Sequence, residues 1–293
     1  MKSGSIAIIG RPSSGKSTLV NTICEGKVSI TASTPQTTRN AIKGIFTDQR
    51  GQLIFTDTPG YHIGEKAFNK RLQETAVTSL SDVDAILYVV DASRVPGAEE
   101  VAIIDIIRKT RKPIVVAINK KDLVSGNQID TCKTIIASYL NDVPIFIISA
   151  KDDTGIDEVL IELFKIVPEG SLMYSEETFT DQPLEFRISE IIREKAISLV
   201  TEEIPHAIFV EVSDLEYSEI EQSVWIRAFI NVERETQKGI LIGKGGEGIK
   251  KIRQRAFKDI KKIFPSLQLH IDLRVKVQPK WRQNETLLGR ILS

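Results

Sequence analysis

A mostly parallel, doubly wound α/β domain followed by a smaller α+β domain is what this sequence predicts, on three observations. Short apolar runs alternate with helix-length amphipathic stretches as far as Ile166, the pattern of βαβ units. A stretch rich in Pro, Gly, Ser, Glu and Thr, from Val167 to Gln182, interrupts that pattern and has the composition of a connection. Beyond it the order becomes helix, two strands, helix, helix, strand. The expected boundaries are a first domain at 1–170, a linker at 171–182 and a second domain at 183–293.

A chain of 293 residues accommodates about two domains. With 41% hydrophobic and 27% charged residues, its composition is that of a soluble globular protein. The formal net charge of zero hides an asymmetry. Residues 1–180 carry 20 basic and 22 acidic side chains, residues 181–237 carry 5 and 13, and residues 238–293 carry 14 and 4. A closing block with a +10 balance suits a polyanion. Cys24 and Cys132 fall in expected helices, far apart, and suggest small buried hydrophobes in a reducing compartment. The first apolar run stops at Gly10, so no signal segment is expected. The longest, Ala85–Val90, is far too short to span a bilayer. A cytoplasmic protein is expected, with attachment to a membrane surface left open.

Taken in order, Ile6–Ile9 is a strand and Thr18-Leu19-Val20-Asn21 opens a helix. Between them Gly10-Arg11-Pro12-Ser13-Ser14-Gly15-Lys16-Ser17 is the G-x-x-x-x-G-K-[ST] phosphate loop in its required context. Its glycines let the chain turn so that backbone N–H groups from Ser13 to Thr18 face one anion-sized hollow at a helix start. Lys16 can reach the β- and γ-phosphates, and the Ser17 hydroxyl can ligate Mg²⁺. The motif calls for a nucleoside triphosphate without naming the base. Lys27–Asn40, rich in Ser and Thr, reads as a loop. Ala41–Thr47 and Gln52–Thr56 read as a hairpin turning at Asp48-Gln49-Arg50-Gly51.

Asp57-Thr58-Pro59-Gly60 ends the second of these strands. A carboxylate there can hold Mg²⁺ through water, and Gly60, lacking a side chain, can bring its N–H to a γ-phosphate oxygen. A helix is expected over about 68–80, then strand Ala85–Val90, helix Glu99–Lys109 and strand Ile114–Ile118. Asn119-Lys120-Lys121-Asp122 follows that strand. The Asp122 carboxylate can accept from N1–H and the N2 amino group of guanine. Adenine offers neither donor, and a site that loses such bonds discriminates by about 10⁴–10⁵. The Lys120 stem can lie along the base, and the Asn119 amide can tie this loop to the phosphate loop. After strand Ile145–Ile148, Ser149-Ala150-Lys151 offers a backbone N–H to guanine O6. A helix over Ile156–Ile166 closes the domain.

In the second domain a helix is expected at Leu184–Val200 and strands at Ala207–Val212, Val224–Val232 and Leu267–Val277. Gly243-Lys244-Gly245-Gly246 precedes a helix over about 248–263. On that helix Lys251, Arg255, Lys258 and Lys262 share one face, and Ile249, Ile252, Ala256 and Ile260 another. This is the G-x-x-G loop of a KH module, which lets nucleic-acid backbone pack against protein backbone. Trp281, amid charge, could touch RNA or cap the core.

Together the phosphate loop, D-T-P-G, N-K-K-D and S-A-K resemble a GTPase domain, and Gln36-Thr37-Thr38-Arg39-Asn40 narrows the likeness to the Era-like bacterial GTPases. With the C-terminal module, which is similar to a type II KH domain, the resemblance spans essentially the whole chain. It implies a P-loop GTPase domain followed by an α+β KH domain, and GTP/GDP and Mg²⁺ as ligands. It implies Thr38 (with Thr37 second) completing the metal site, and catalysis through Lys16, Thr38 and Gly60. It further implies RNA contacts through Gly243, Lys244, Gly245, Gly246, Lys251, Arg255 and Lys258. The implied partners are the single-stranded 3′ end of small-subunit ribosomal RNA, the small ribosomal subunit, whose assembly such proteins serve, and the inner membrane face. A monomer is expected. Two departures stand out. Tyr61 and His62 follow Gly60 where many GTPases carry the water-orienting glutamine, so slow intrinsic hydrolysis is expected. Ser13 stands where many relatives have an asparagine associated with K⁺, so a K⁺ ion stays open as a further ligand but is put in doubt by this residue. A GTP-gated scaffold with incidental hydrolysis competes with this reading. A P-loop kinase of small molecules competes less well, since N-K-K-D would serve it no purpose.

Overall fold

A computed structural model describes residues 1–31, 38–61, 74–200 and 204–291. Gln36, Thr37, His62 and the first part of the helix expected at 68–80 lie outside the described residues; residues 74–78 are helical. The chain divides into two compact units, one of described residues up to Asp181 and one from Gln182 onward.

The first unit is a six-stranded sheet in the order β2-β3-β1-β4-β5-β6. Its strands are β1 (Lys2–Ile9), β2 (Ile42–Asp48), β3 (Gly51–Asp57), β4 (Ala85–Asp91), β5 (Ile114–Asn119) and β6 (Ile145–Ile147). All neighbours run parallel except β2, which turns back on β3 through the expected hairpin and forms an antiparallel edge. Every residue of β4 is buried, because strands with helices on both faces expose neither. The helices are α1 (Lys16–Ile23), α2 (Ala98–Thr110), α3 (Gly126–Tyr139) and α4 (Ile156–Ile166). Ile103, Ile104 and Ile107 of α2 and Cys132 and Ile136 of α3 pack with Ala7, Ile9, Tyr88 and Val116 of the sheet. Burial pushes the Cys132 thiol up to about 11 and that of Cys24 to about 12, so both stay protonated and unreactive.

Residues 171–181, read from composition as a linker, are tied to the open side of β2 and to β3. Gln52 Oε1 accepts the N–H groups of Met173 and Tyr174 at 2.9 and 3.0 Å. Ile45 N–H donates to Phe179 O at 2.9 Å, and the Thr180 hydroxyl donates to Lys43 O at 2.8 Å. Backbone groups of this segment and the Thr180 hydroxyl thus pair with the sheet.

The second unit carries β7 (Phe209–Ser218), β8 (Ser223–Val232) and β9 (Gln268–Val277) in that sheet order, with β7–β8 antiparallel and β8–β9 parallel. One face of this sheet is covered by α5 (Leu184–Ile197), α6 (Glu235–Ile242) and α7 (Glu247–Ile260). Strand β7 runs six residues beyond the expected end, because Asp214 and Glu216 share the outer face of a half-exposed hairpin arm, and their charges mask its strand character. Trp281 is fully buried, its indole N–H donating to Ala207 O at 2.8 Å and its ring 4.9 Å from that of Phe209. Of the two readings of Trp281, the core cap is the one observed.

Candidate functional site

β1 delivers Gly10 at its carboxyl end, next to the inner strand β4, and a Cβ on Gly10 would collide with Val89 O. Ser13 and Gly15 both take left-handed backbone, φ 64° and 97°, which curls the loop before α1 begins. In this curl the Lys16 ammonium donates to Gly10 O at 3.1 Å and Arg11 O at 3.0 Å. Burial lowers its pKa to about 8, against the attraction of Asp57. A buried ammonium that folding has already desolvated, aimed along its own loop, is poised for an incoming anion. Arg11 fixes the loop from the side. Its guanidinium pairs with Glu99 at 2.6 Å and Glu100 at 3.0 Å, both in the first turn of α2. Sequence spacing gave no sign of this clamp, which spans some ninety residues.

Three groups expected around a metal converge. The hydroxyls of Ser17 and Thr38 lie 2.8 Å apart, and Thr38 Oγ1 donates to Asp57 Oδ2 at 3.4 Å. Asp57 is completely buried, and its Oδ1 accepts no hydrogen bond of normal geometry. Burial pushes its carboxyl above the ordinary range, opposed by Lys16 and neighbouring hydroxyls. Buried oxygens without enough donors are what a hard cation such as Mg²⁺ satisfies, so this donor set fits one. Gly60 lies against the phosphate loop, where a Cβ would fall 2.6 Å from Pro12 Cα, and Tyr61 N–H donates to Gly10 O at 3.1 Å. The Tyr61 side chain packs on the cluster beneath α2.

The other end of the site is built around Asn119, buried at the tip of β5. Its Nδ2 donates to Ser14 O and its Oδ1 accepts from Ala150 N–H, both at 2.9 Å. One amide therefore locks the phosphate loop to the Ser149–Lys151 loop. Lys120 takes left-handed backbone, φ 69°, and its ammonium pairs with the buried Asp91 at 2.7 Å. Asp122 Oδ1 accepts from the Ser149 hydroxyl at 2.7 Å, which orients the carboxylate. The Thr22 hydroxyl, on α1, donates to Ala150 O at 2.7 Å. Asp91 was not foreseen; its position at the end of β4, level with Asn119 in register, was the available signal. Lys151 is exposed beside this loop.

In the second unit the Gly243–Gly246 loop joins α6 to α7, with Gly243, Gly245 and Gly246 at φ 71°, 61° and 84°. A Cβ on Gly245 or Gly246 would meet nothing within 4 Å, so the loop presents bare backbone outward. Lys244, Lys251, Arg255 and Lys258 are exposed, while Ile252, Ala256 and Ile260 fill the core. A groove of about 1190 Å³ lies beside α7 and β9, with Phe257, Leu269 and Ile271 as its apolar lining and Arg255 and Lys258 among its cations. The aromatic members of this groove were missed, since Trp225, Phe257 and His270 come from three separate elements.

Phosphate loop, metal donors and guanine-type loops at the carboxyl ends of parallel strands define a P-loop GTP-binding domain, here carrying an α-β-β-α-α-β RNA-binding module of the KH class. The family model described as 50S ribosome-binding GTPase matches residues 5–120, and a KH domain model matches residues 203–282. GTPase Era of Treponema denticola is 47% identical over 99% of both chains, and GTPase Era of Borreliella afzelii is 43% identical over 100% of both. The chain belongs to the Era family of GTPases. Among solved structures, a single-residue variant of Aquifex aeolicus Era bound to GDP and AlF4⁻ is 33% identical, with TM-score 0.95 over 99% of both chains. Era in complex with MgGDPNP and nucleotides 1506–1542 of 16S ribosomal RNA gives the same identity and TM-score over 99% of this chain and 98% of that one.

Proposed function

We propose that this GTPase binds the single-stranded 3′ end of small-subunit ribosomal RNA through its KH domain and acts in assembly of the small ribosomal subunit, in the cytoplasm. The related Era complex with 16S ribosomal RNA supports that partner, as do the open Gly243–Gly246 backbone and the cations beside it. In this reading the loop Gly10–Thr18 wraps the phosphates, and Lys16 leaves its two carbonyls for the β- and γ-phosphates. Ser17, Thr38 and, through water, Asp57 hold Mg²⁺, which supplies charge neutralisation to the phosphates when bound. Gly60 and Thr38 sense the third phosphate. Asn119, Lys120, Asp122 and the Ser149–Lys151 loop hold guanine.

The observation that carries the nucleotide assignment is the Asn119 amide joining both loops while Ser149 presents Asp122. Asp122→Asn is expected to weaken GTP by about 10²–10⁴, two charge-assisted bonds being lost, and to favour xanthosine triphosphate, whose C2 carbonyl accepts from the new amide. Nucleotide titrations with unchanged GTP affinity would remove Asp122 from the base site.

A further inference from the structure

The sheet of the second unit has two faces, and only one is accounted for. On β8, Val224, Ile226, Ala228 and Ile230 point into the core, so Trp225 and Arg227 stand on the opposite face. On β9, Leu269, Leu273 and Val275 point inward, which places His270, Asp272 and Arg274 on that same outer face. Trp225 is paired with His270 in register, and the two rings stack with 19° between their planes and 6.4 Å between centroids. Trp225 remains 43% exposed, and the Arg227 guanidinium lies 6.0 Å over its ring.

This pair is not isolated from the groove already described. Its lining includes Arg253, Phe257 and Lys258 on α7 and, beyond the free edge of β9, His270 and Trp225. The groove therefore continues around an edge strand onto the outer face. Among its lining residues the one carboxylate, Asp272, is held by Arg274 at 2.9 Å and Arg227 at 3.2 Å. Arg253, Arg255 and Lys258 line the groove and are exposed. Aromatic faces beside surplus cations suit a strand with a phosphate backbone and flat bases, and disfavour an acid-poor apolar peptide.

We propose that single-stranded RNA leaving the groove between α7 and β9 turns around the β9 edge and stacks a base on the Trp225–His270 pair. This rests on the RNA reading above and adds to it a nucleotide position outside the loop-and-helix groove. The cross-strand pair gives a preformed aromatic surface, so little side-chain freedom is lost when the base lands. Phosphate contact falls to Arg253 of the same groove, since Arg227 and Arg274 are engaged by Asp214 and Asp272.

The chain contains two tryptophans, and Trp281 is buried, so emission changes on RNA binding report on Trp225. The test uses the full chain and an RNA matching the 3′-terminal segment of its own 16S ribosomal RNA, at fixed salt because phosphate contacts are salt-sensitive. RNA should quench tryptophan emission in the native chain and not in Trp225→Phe. Trp225→Ala should lower affinity on the order of tenfold, with Trp225→Phe retaining most of it. Shortening the RNA a nucleotide at a time should abolish that difference at one length. Unquenched emission with unchanged affinity in Trp225→Ala, while Gly246→Asp loses RNA, would overturn the platform and leave the RNA reading standing. RNA affinity unchanged in both variants would overturn both.

Discussion

Two glycine-bearing loops in this chain meet phosphate by opposite physical means. In the loop Gly10–Ser17 the glycines are there because neighbours crowd them: Val89 O stands where a Cβ of Gly10 would sit, and the Asn119 amide where one of Gly15 would. Its lysine is buried and bonded to the loop itself. In the loop Gly243–Gly246 the glycines at 245 and 246 face open space, and Lys244 is exposed. The first loop is preorganised around one compact, highly charged group, with desolvation already incurred in folding. The second leaves backbone bare so that another backbone can lie along it. Glycine supplies left-handed torsions in both places, yet only in the first does it also supply missing volume.

That contrast can be broken most forcefully at Gly15. Gly15→Ala combines an unfavourable torsion at φ 97° with a clash against Asn119, and GTP affinity is expected to drop about 100-fold. Calorimetric titration that finds native affinity would mean the loop is looser than its packing indicates. Next comes Gly246→Asp, which sets a carboxylate where RNA phosphate must approach. RNA affinity should fall about tenfold or more, with GTP turnover unchanged; filter binding and phosphate release measured on one preparation decide it, and loss of both activities would point to misfolding instead.

A smaller effect is expected from protons. The unliganded Lys16 titrates at about 8 because it is buried, and a bound triphosphate restores its charge. GTP affinity should therefore fall as pH rises from 8 to 9, by up to about tenfold per unit. Stability moves the other way. Over that interval the unfolded chain, with a normal lysine, binds more protons than the folded one, so the unliganded protein gains stability as pH rises. Paired titrations and thermal melts at pH 7, 8 and 9 would show the crossing trends, and parallel trends would refute the lysine assignment. No such pH dependence is expected for RNA. The smallest effect belongs to Gly245→Ala, which meets no neighbour and should cost only about 1 kcal/mol of stability, from its torsion. A melting shift larger than a few degrees would show that this loop, too, is closely packed.

Much of this was legible in the sequence, and the reason is local. Strand, turn and helix signals around Gly10–Ser17, Asp57–Gly60 and Asn119–Asp122 lie within a few residues of the groups they position. The strand order that brings Asp91 to Lys120, or Glu99 and Glu100 to Arg11, is set by packing of the whole sheet, and no periodicity encodes it. The Trp225–His270 pair is hidden for the same reason, since parallel neighbours forty-five residues apart share no sequence pattern. Composition does not encode the pairing of residues 171–181 with the sheet, which is made by their backbone groups and the Thr180 hydroxyl.

The binding of that segment to β2 bears on how this protein can be divided. Strand β2 ends the sheet, and the Phe179 carbonyl and Thr180 hydroxyl occupy part of its outer row of backbone groups. A fragment ending at residue 170 would uncover an apolar edge strand, Ile42, Ile45 and Phe46 among its residues, and such edges recruit other chains. Cutting after Asp181 keeps the cover in place, so the two fragments, eleven residues different in length, should part company in solubility.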